Sequence, residues 1–487
     1  MPISSDPEGK RLPIKLDSTS NSEFVPIPLD ATNRRANQLA QTWASDHARR
    51  RGVDRRTFLV SACGADSTLL AFNAANAAAG RTGGFFELEQ RAAVDPDAAL
   101  DRLGGREFVF DVQGHFVGQH GLGKTGLGGA EQFIKDIFLD SDTDMMVLSF
   151  IPSHREKELL TIEEADEVRR IIDQMEGTHR LLIHGRVNPN QEGDLEGMDE
   201  LAETWGVSAW KCYTQWGPDG RGFFLHDEIG LRMIEKARAL GVKNICVHKG
   251  LPFGRRSYEH SIASDIGPVA RMFPDVNFLV YHSGFIAGQP EGPYDPDRGE
   301  GIDALIRSVE EHGVAKNSNV YAELGSTWRY AMRDPDTAAH VVGKLVKHFG
   351  ENNVLYGSDC IWYGSPQDQI QAFRTFQISE AFQQRYGYPT MTAELRAAIF
   401  GLTATRPYGI NEGEVIKRAR HDAIEHRRAE YRQRPDPHFL TFGPKNRREF
   451  FANLRARGGS PIIPDGYSPS PRPRHPGSTP SKDFSRS

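Results

Sequence analysis

Four cysteines in 487 residues, Cys63, Cys212, Cys246 and Cys360, are too few and too scattered for a CxxC metal knuckle or a disulfide framework. Cys212 and Cys246 fall inside apolar stretches and Cys360 follows one, so they read as small core hydrophobes. No apolar run reaches the length of a membrane span. With 59 Lys and Arg against 65 Asp and Glu, the net charge of −6 gives no pull towards nucleic acid or anionic lipid. There is no nucleophile-elbow motif, no helix-turn-helix or RNA-binding signature, and no repeat beyond an alternation of strands and helices. The stretch Gly121–Gly126 lacks phosphate-loop spacing and reads as a loop with His120 solvated beside it.

What is present is a large soluble core, at 38% hydrophobic and 25% charged residues. Phe108–Val117 sets its pattern: an apolar, β-branched and aromatic strand that runs into Asp111, Gln113 and His115. The pattern recurs in Met145–Ile151, Arg180–His184, Val207–Tyr213, Asn244–His248, Asn277–His282, Val320–Glu323 and Val354–Asp359. Helical stretches separate most of these. Thr161 and Glu164 form a capping box, Asp227–Leu240 stops at Gly241, and Asp334–Phe349 is a third helix. Eight strands over some 300 residues predict an α/β chain folded as a (β/α)8 TIM barrel, in which strand C-termini open onto the active site.

Around a barrel at 106–412 the sequence places an N-terminal extension at 1–105 and a C-terminal part at 413–487. Residues 1–50 are polar and read as a mobile or surface-wrapping arm. Arg55-Arg56, Phe58-Leu59, a small-residue stretch and Ala75-Asn76-Ala77 fit two readings: a twin-arginine export signal interrupted by Asp66, or a helix packed outside the barrel. Location is therefore open between export and cytoplasm. Asn411–Arg434 reads as a charged helix, and the chain beyond Pro461 as a Pro-rich tail.

The strand ends collect Gln113, His115, His184, Lys211, His248, His282, Glu323 and Asp359 around one mouth. Several His with an Asp suit one divalent ion, Zn²⁺ first and Mn²⁺ or Fe²⁺ after it. Arg329 is a candidate carboxylate clamp, and Trp362 and Tyr363 are candidate pocket walls.

Asp111-Val-Gln-Gly-His115, Val247-His248, Tyr281-His282-Ser-Gly284, Tyr356-Gly-Ser-Asp359 and the closing Thr405–Ile410 resemble the amidohydrolase superfamily, in its amidohydrolase-2 branch of metal-dependent hydrolases and decarboxylases. The resemblance implies a metal held by His115, His248 and Asp359, with Gln113 standing where the branch has a His or Glu ligand. It implies that His282 and Asp359 move protons. Lys211 then either bridges two metals as a carboxylated lysine or holds an anionic substrate, the reading preferred here. His184 is structural or supports a ligand from behind rather than binding metal, and Glu323 either receives a hydrogen bond from a ligand His or pairs with a cation. The resemblance implies a hydrolase of a small carboxylate, lactone, ester or amide substrate, with a non-oxidative decarboxylase of an aromatic or enoic acid as alternative. A metal-free barrel with a binding role is the reading that Gln113 keeps open. A homodimer is expected by the same resemblance.

Overall fold

The computed structural model describes residues 6–118, 129–176, 179–254 and 256–456. His120, the Gly121–Gly126 stretch and the tail from Pro461 lie outside the described residues. A short antiparallel ribbon of β1 (Gly84–Phe86) and β10 (Phe376–Ile378) flanks an eight-stranded parallel sheet. The sheet runs in chain order: β2 (Phe110–Gly114), β3 (Met145–Leu148), β4 (Leu181–Arg186), β5 (Ala209–Tyr213), β6 (Asn244–His248), β7 (Asn277–Tyr281), β8 (Val320–Glu323) and β9 (Val354–Leu355). Chain segments after β9 return to β2 and close the barrel. Val112 donates to the Tyr356 carbonyl at 3.1 Å, Asp359 to that of Gln113 at 2.9 Å, and Gly114 bridges Cys360.

The interior is filled, as it must be in an eight-stranded barrel. Phe110, Val112, Met145, Val147, Cys246, Leu279, Tyr281 and Leu355 form one inner cluster, and a larger cluster lies between strands and helices. All four cysteines are buried and unpaired, as core residues. The β2–β3 register shifts between Asp111 and Gly114. Val112 thus packs in the inner cluster while its neighbour Gln113 reaches the strand-end residues, a re-aiming that bulges near active sites provide.

The capping box forms, with Thr161 N–H donating to Glu164 at 3.1 Å and Glu164 N–H to Thr161 at 3.3 Å. Three expectations change. The eighth strand stops at Leu355, because Tyr356–Asp359 pairs with the end of β2. The charged stretch is two helices, Glu412–Ala419 and Ala423–Gln433. It breaks because Asp422 caps the second one and forms a 2.6 Å ion pair with buried Arg180.

The third change concerns the arm, whose described residues from 6 onward are in part built into the core. Ile14, Leu16, Thr19, Ser20 and Asn21 are at most 2% exposed, and the chain then enters α1 (Ala31–Arg51). Ala36, Ala40, Ala44 and Ala48 repeat every four residues and give this polar helix a narrow buried stripe. Through it α1 meets α3 (Ala62–Ala78), which follows α2 (Arg55–Leu59). The stretch with export-signal features is therefore folded into the molecule. Arg55 donates to the Gly9 and Gln41 carbonyls, Arg56 to that of Asp6, and Leu69, Phe72 and Ala75 are core residues.

Candidate metal centre

The strand ladder sets the depth of the candidate residues. Tyr213 pairs with His248 and His248 with Tyr281, so His248 and His282 emerge side by side at the ends of β6 and β7. His115 follows β2, Asp359 follows β9, and Glu323 ends β8. Gln113, His115, Lys211, His248, His282, Glu323 and Asp359 are all buried. His282, Ser326 and Asp359 have positive φ, at 65°, 52° and 59°, a costly backbone that a surrounding structure must impose. Gly325 is required by close approach, since a Cβ there would sit 2.2 Å from Gln113 Oε1.

These residues form two adjoining groups. In the first, His115 Nε2 lies 3.0 Å from Asp359 Oδ1, while His115 Nδ1 donates to the Ser149 carbonyl at 2.9 Å. Gln113 Nε2 donates to the same Oδ1 at 3.1 Å. Asp359 Oδ2 accepts from Ser326 Oγ at 2.5 Å and from Asn21 Nδ2 at 2.8 Å. Burial alone would raise the Asp359 carboxyl, but His115, His282 and the Ser326 hydroxyl outweigh it and hold it below the ordinary carboxylate range.

The second group is Glu23, His248 and His282, whose ligating atoms all lie within 4.8 Å of one another. Glu23 Oε1 is 3.6 Å from His248 Nδ1, and Glu23 Oε2 is 3.9 Å from His282 Nε2. The Gly325 carbonyl accepts from His282 Nδ1 at 2.6 Å, which leaves Nε2 bare. His282 Nε2 and both nitrogens of His248 are buried without a hydrogen-bond partner. Burial lowers both imidazoles, His282 to about 4 and His248 well below its usual value, so both are neutral near pH 7. Tyr213 stacks on His248 with ring centroids 4.8 Å apart and orients it. Two neutral imidazoles and a carboxylate are a donor set that fits a divalent ion. Asn21 joins the groups, since its Nδ2 also donates to Glu23.

The structure thus sets His248 and His282 with a residue that sequence reasoning did not name, and pairs His115 with Asp359. Gln113 turns its amide nitrogen to Asp359. Lys211 Nζ makes no hydrogen bond and lies over the Tyr281 ring at 3.8 Å and the Tyr213 ring at 4.7 Å. His184 lies outside both groups, 3.3 Å from the Tyr281 hydroxyl and 3.4 Å from that of Tyr408. Glu323 accepts the backbone N–H of His282 at 2.9 Å, not its ring, and burial raises its carboxyl to about 8.

Arg329, the expected substrate clamp, is a correction. Its guanidinium is buried against Asp17 at 2.6 Å and the Lys15 carbonyl, so it anchors the arm. The arginine that reaches the crevice beside His115 is Arg186, with Trp362, Phe116 and Phe150 as walls. Tyr363 instead hydrogen-bonds Ser326 at 2.6 Å.

Asn21 and Glu23 were missed because they lie in a Ser- and Asn-rich stretch without periodicity. The signal that was there is the alternation of Leu12, Ile14 and Leu16, which marks a half-buried extended segment just before them.

Residues 136–410 match the family model of the amidohydrolases. No curated protein matches the chain. Among solved structures the chain is similar to 5-carboxyvanillate decarboxylase of Novosphingobium aromaticivorans, complexed with manganese and 4-hydroxy-3-methoxy-5-nitrobenzoic acid, at 12% identity over 63% of this chain and 97% of that one, with a TM-score of 0.43. It is similar to 2,6-dihydroxybenzoate decarboxylase from Rhizobium at 15% identity over 62% and 99% of the two chains, with a TM-score of 0.38. It is also similar to 4-oxalomesaconate hydratase from Rhodopseudomonas palustris at 14% identity over 62% and 96%, with a TM-score of 0.37.

Proposed function

The chain belongs to the amidohydrolase family, and from that premise we propose that it is a metal-dependent hydrolase of a small carboxylate-bearing lactone, ester or amide. The observation that carries the reading is Asp359, a buried carboxylate that accepts from three donors, Gln113, Ser326 and Asn21, beside two imidazoles whose bare nitrogens are buried. His248 and His282 are the residues that would hold a divalent ion. Such an ion, Zn²⁺ in first place, acidifies water and polarises a carbonyl oxygen.

Asp359 takes the proton of the attacking water. His115, with Nδ1–H turned to the Ser149 carbonyl and Nε2 3.0 Å from Asp359, accepts that proton at Nε2 and returns it to the leaving group. The two act as one network. Ser326 and Asn21 fix the carboxylate plane. Lys211 offers buried positive charge to a substrate carboxylate, Arg186, paired with Glu158, lines the crevice, and Trp362 walls it.

A second reading is non-oxidative decarboxylation of an aromatic or enoic acid. Glu23 favours it, since an added anionic donor weakens an ion's pull on water and suits an ion that only holds a carboxylate. An assay of the metal-supplied protein on lactones, aryl esters and aromatic carboxylates separates the two. Acid release without CO₂ supports the hydrolase, and CO₂ release replaces it with the decarboxylase.

A further inference from the structure

We infer that the N-terminal arm is part of the metal centre: Glu23 is the carboxylate ligand that replaces the strand-one ligand absent at Gln113, so arm docking and ion binding are one coupled event. The inference rests on the metal-dependent reading above.

The barrel alone does not complete the donor set. Gln113 presents its amide N–H to Asp359, and its Oε1 is packed in the cradle under Gly325. Both oxygens of Asp359 are already engaged: Oδ1 accepts from Gln113 and lies 3.0 Å from His115 Nε2, and Oδ2 accepts from Ser326 and Asn21. The bare, fully buried nitrogens belong to His248 and His282, and the carboxylate set between them is Glu23, itself 8% exposed. Glu23 Oε1 lies 3.6 Å from His248 Nδ1 and Oε2 lies 3.9 Å from His282 Nε2, so the three side chains converge on one point that a divalent cation fits.

Glu23 is also placed with care. Its N–H donates to Asn21 Oδ1 at 3.1 Å, and Asn21 Nδ2 donates back to its carboxylate. The arm behind it is pinned by Arg329 on Asp17 and by the Tyr330 hydroxyl on the Thr19 carbonyl at 2.8 Å. From the C-terminal side Thr19 meets the Thr441 hydroxyl at 2.7 Å, and Ser20 N–H donates to the Pro444 carbonyl at 2.9 Å. A ligand on a separate segment makes the coupling reciprocal: the ion strengthens docking by the factor by which docking strengthens ion binding.

The test uses full-length protein prepared with zinc: wild type, Glu23→Gln, Glu23→Asp and His248→Ala. Zinc affinity is read by competition with a chromophoric chelator, and hydrogen exchange is followed over residues 12–24 with and without chelation. Expected are an affinity loss of about 100-fold in Glu23→Gln, a smaller one in Glu23→Asp, and faster exchange of the arm, but not of β6 and β7, on chelation. Wild-type affinity in Glu23→Gln, with zinc lost in His248→Ala, overturns the inference and leaves the metal-dependent reading standing. Arm exchange that ignores zinc also overturns it. Wild-type protein that binds no zinc overturns both.

Discussion

The strand ends and the arm reach the same few ångströms of space by different physics. His248 and Glu323 are placed by backbone ladders that run from strand to strand, and His282 directly follows its own strand. The arm joins no strand. Within the described residues, positions 15–21 make one backbone-to-backbone bond, to Pro444, and are otherwise held through side chains, among them Arg329, Tyr330, Asp368, Thr441 and Asp359. The difference teaches where the site is vulnerable: the barrel half tolerates loss of a side chain as structure, while the arm half depends on its side-chain anchors.

The largest effect expected is chemical and falls on the barrel half. Asp359→Asn should lower kcat by about 10³-fold, the scale of a lost general base, and, on the proposal that His248, His282 and Glu23 hold the ion, leave metal content unchanged. Loss of the ion with activity would instead merge the two groups into one. Next comes the N-terminal helical layer, where Asp66 is buried with neither carboxylate oxygen partnered and burial raises its carboxyl to about 7. Between its ordinary value of 3.8 and about 7, the folded state keeps a proton that the unfolded chain has lost, so stability falls as pH rises through that window. Asp66→Asn removes the loss, and urea unfolding at pH 8 should show a gain of about 2–4 kcal/mol that vanishes near pH 4.

Releasing the arm at its anchor is a smaller effect. Asp17→Ala removes the carboxylate partner of the buried Arg329 guanidinium, which keeps the Lys15 carbonyl, at a cost of roughly 2 kcal/mol, less than for a fully buried pair because the Asp17 side chain is 39% exposed. Limited proteolysis should then cut within residues 12–24 before it touches the barrel; equal protection in variant and wild type would show that the arm is held elsewhere. Smallest is Thr161→Ala, which removes one capping bond on the outside of the barrel and should cost about 1 kcal/mol in chemical denaturation without moving activity.

The barrel was legible because its residues recur at the βα period: each apolar run ends in a polar residue, and closure brings those ends together whatever the loops do. The placement of His115, His248, His282 and Asp359 at strand ends was legible that way. Their grouping was not, since it depends on a shifted register at β2, on an eighth strand that leaves the ladder after Leu355, and on which way one amide turns. Glu23 lay beyond reach for a different reason. The arm that carries it is seated by Thr19 on Thr441 and Ser20 on Pro444, more than 400 positions away, and no local period encodes such a pairing. Arg329 misled because an arginine just past a strand end looks alike whether it faces substrate or Asp17.

The central claim, that the strand ends hold a divalent ion, is tested most directly by elemental analysis of full-length protein purified with zinc or manganese supplied. The account predicts about one ion per chain, lost in His248→Ala. Folded wild-type protein without a bound ion would contradict it and leave a barrel whose mouth serves binding alone.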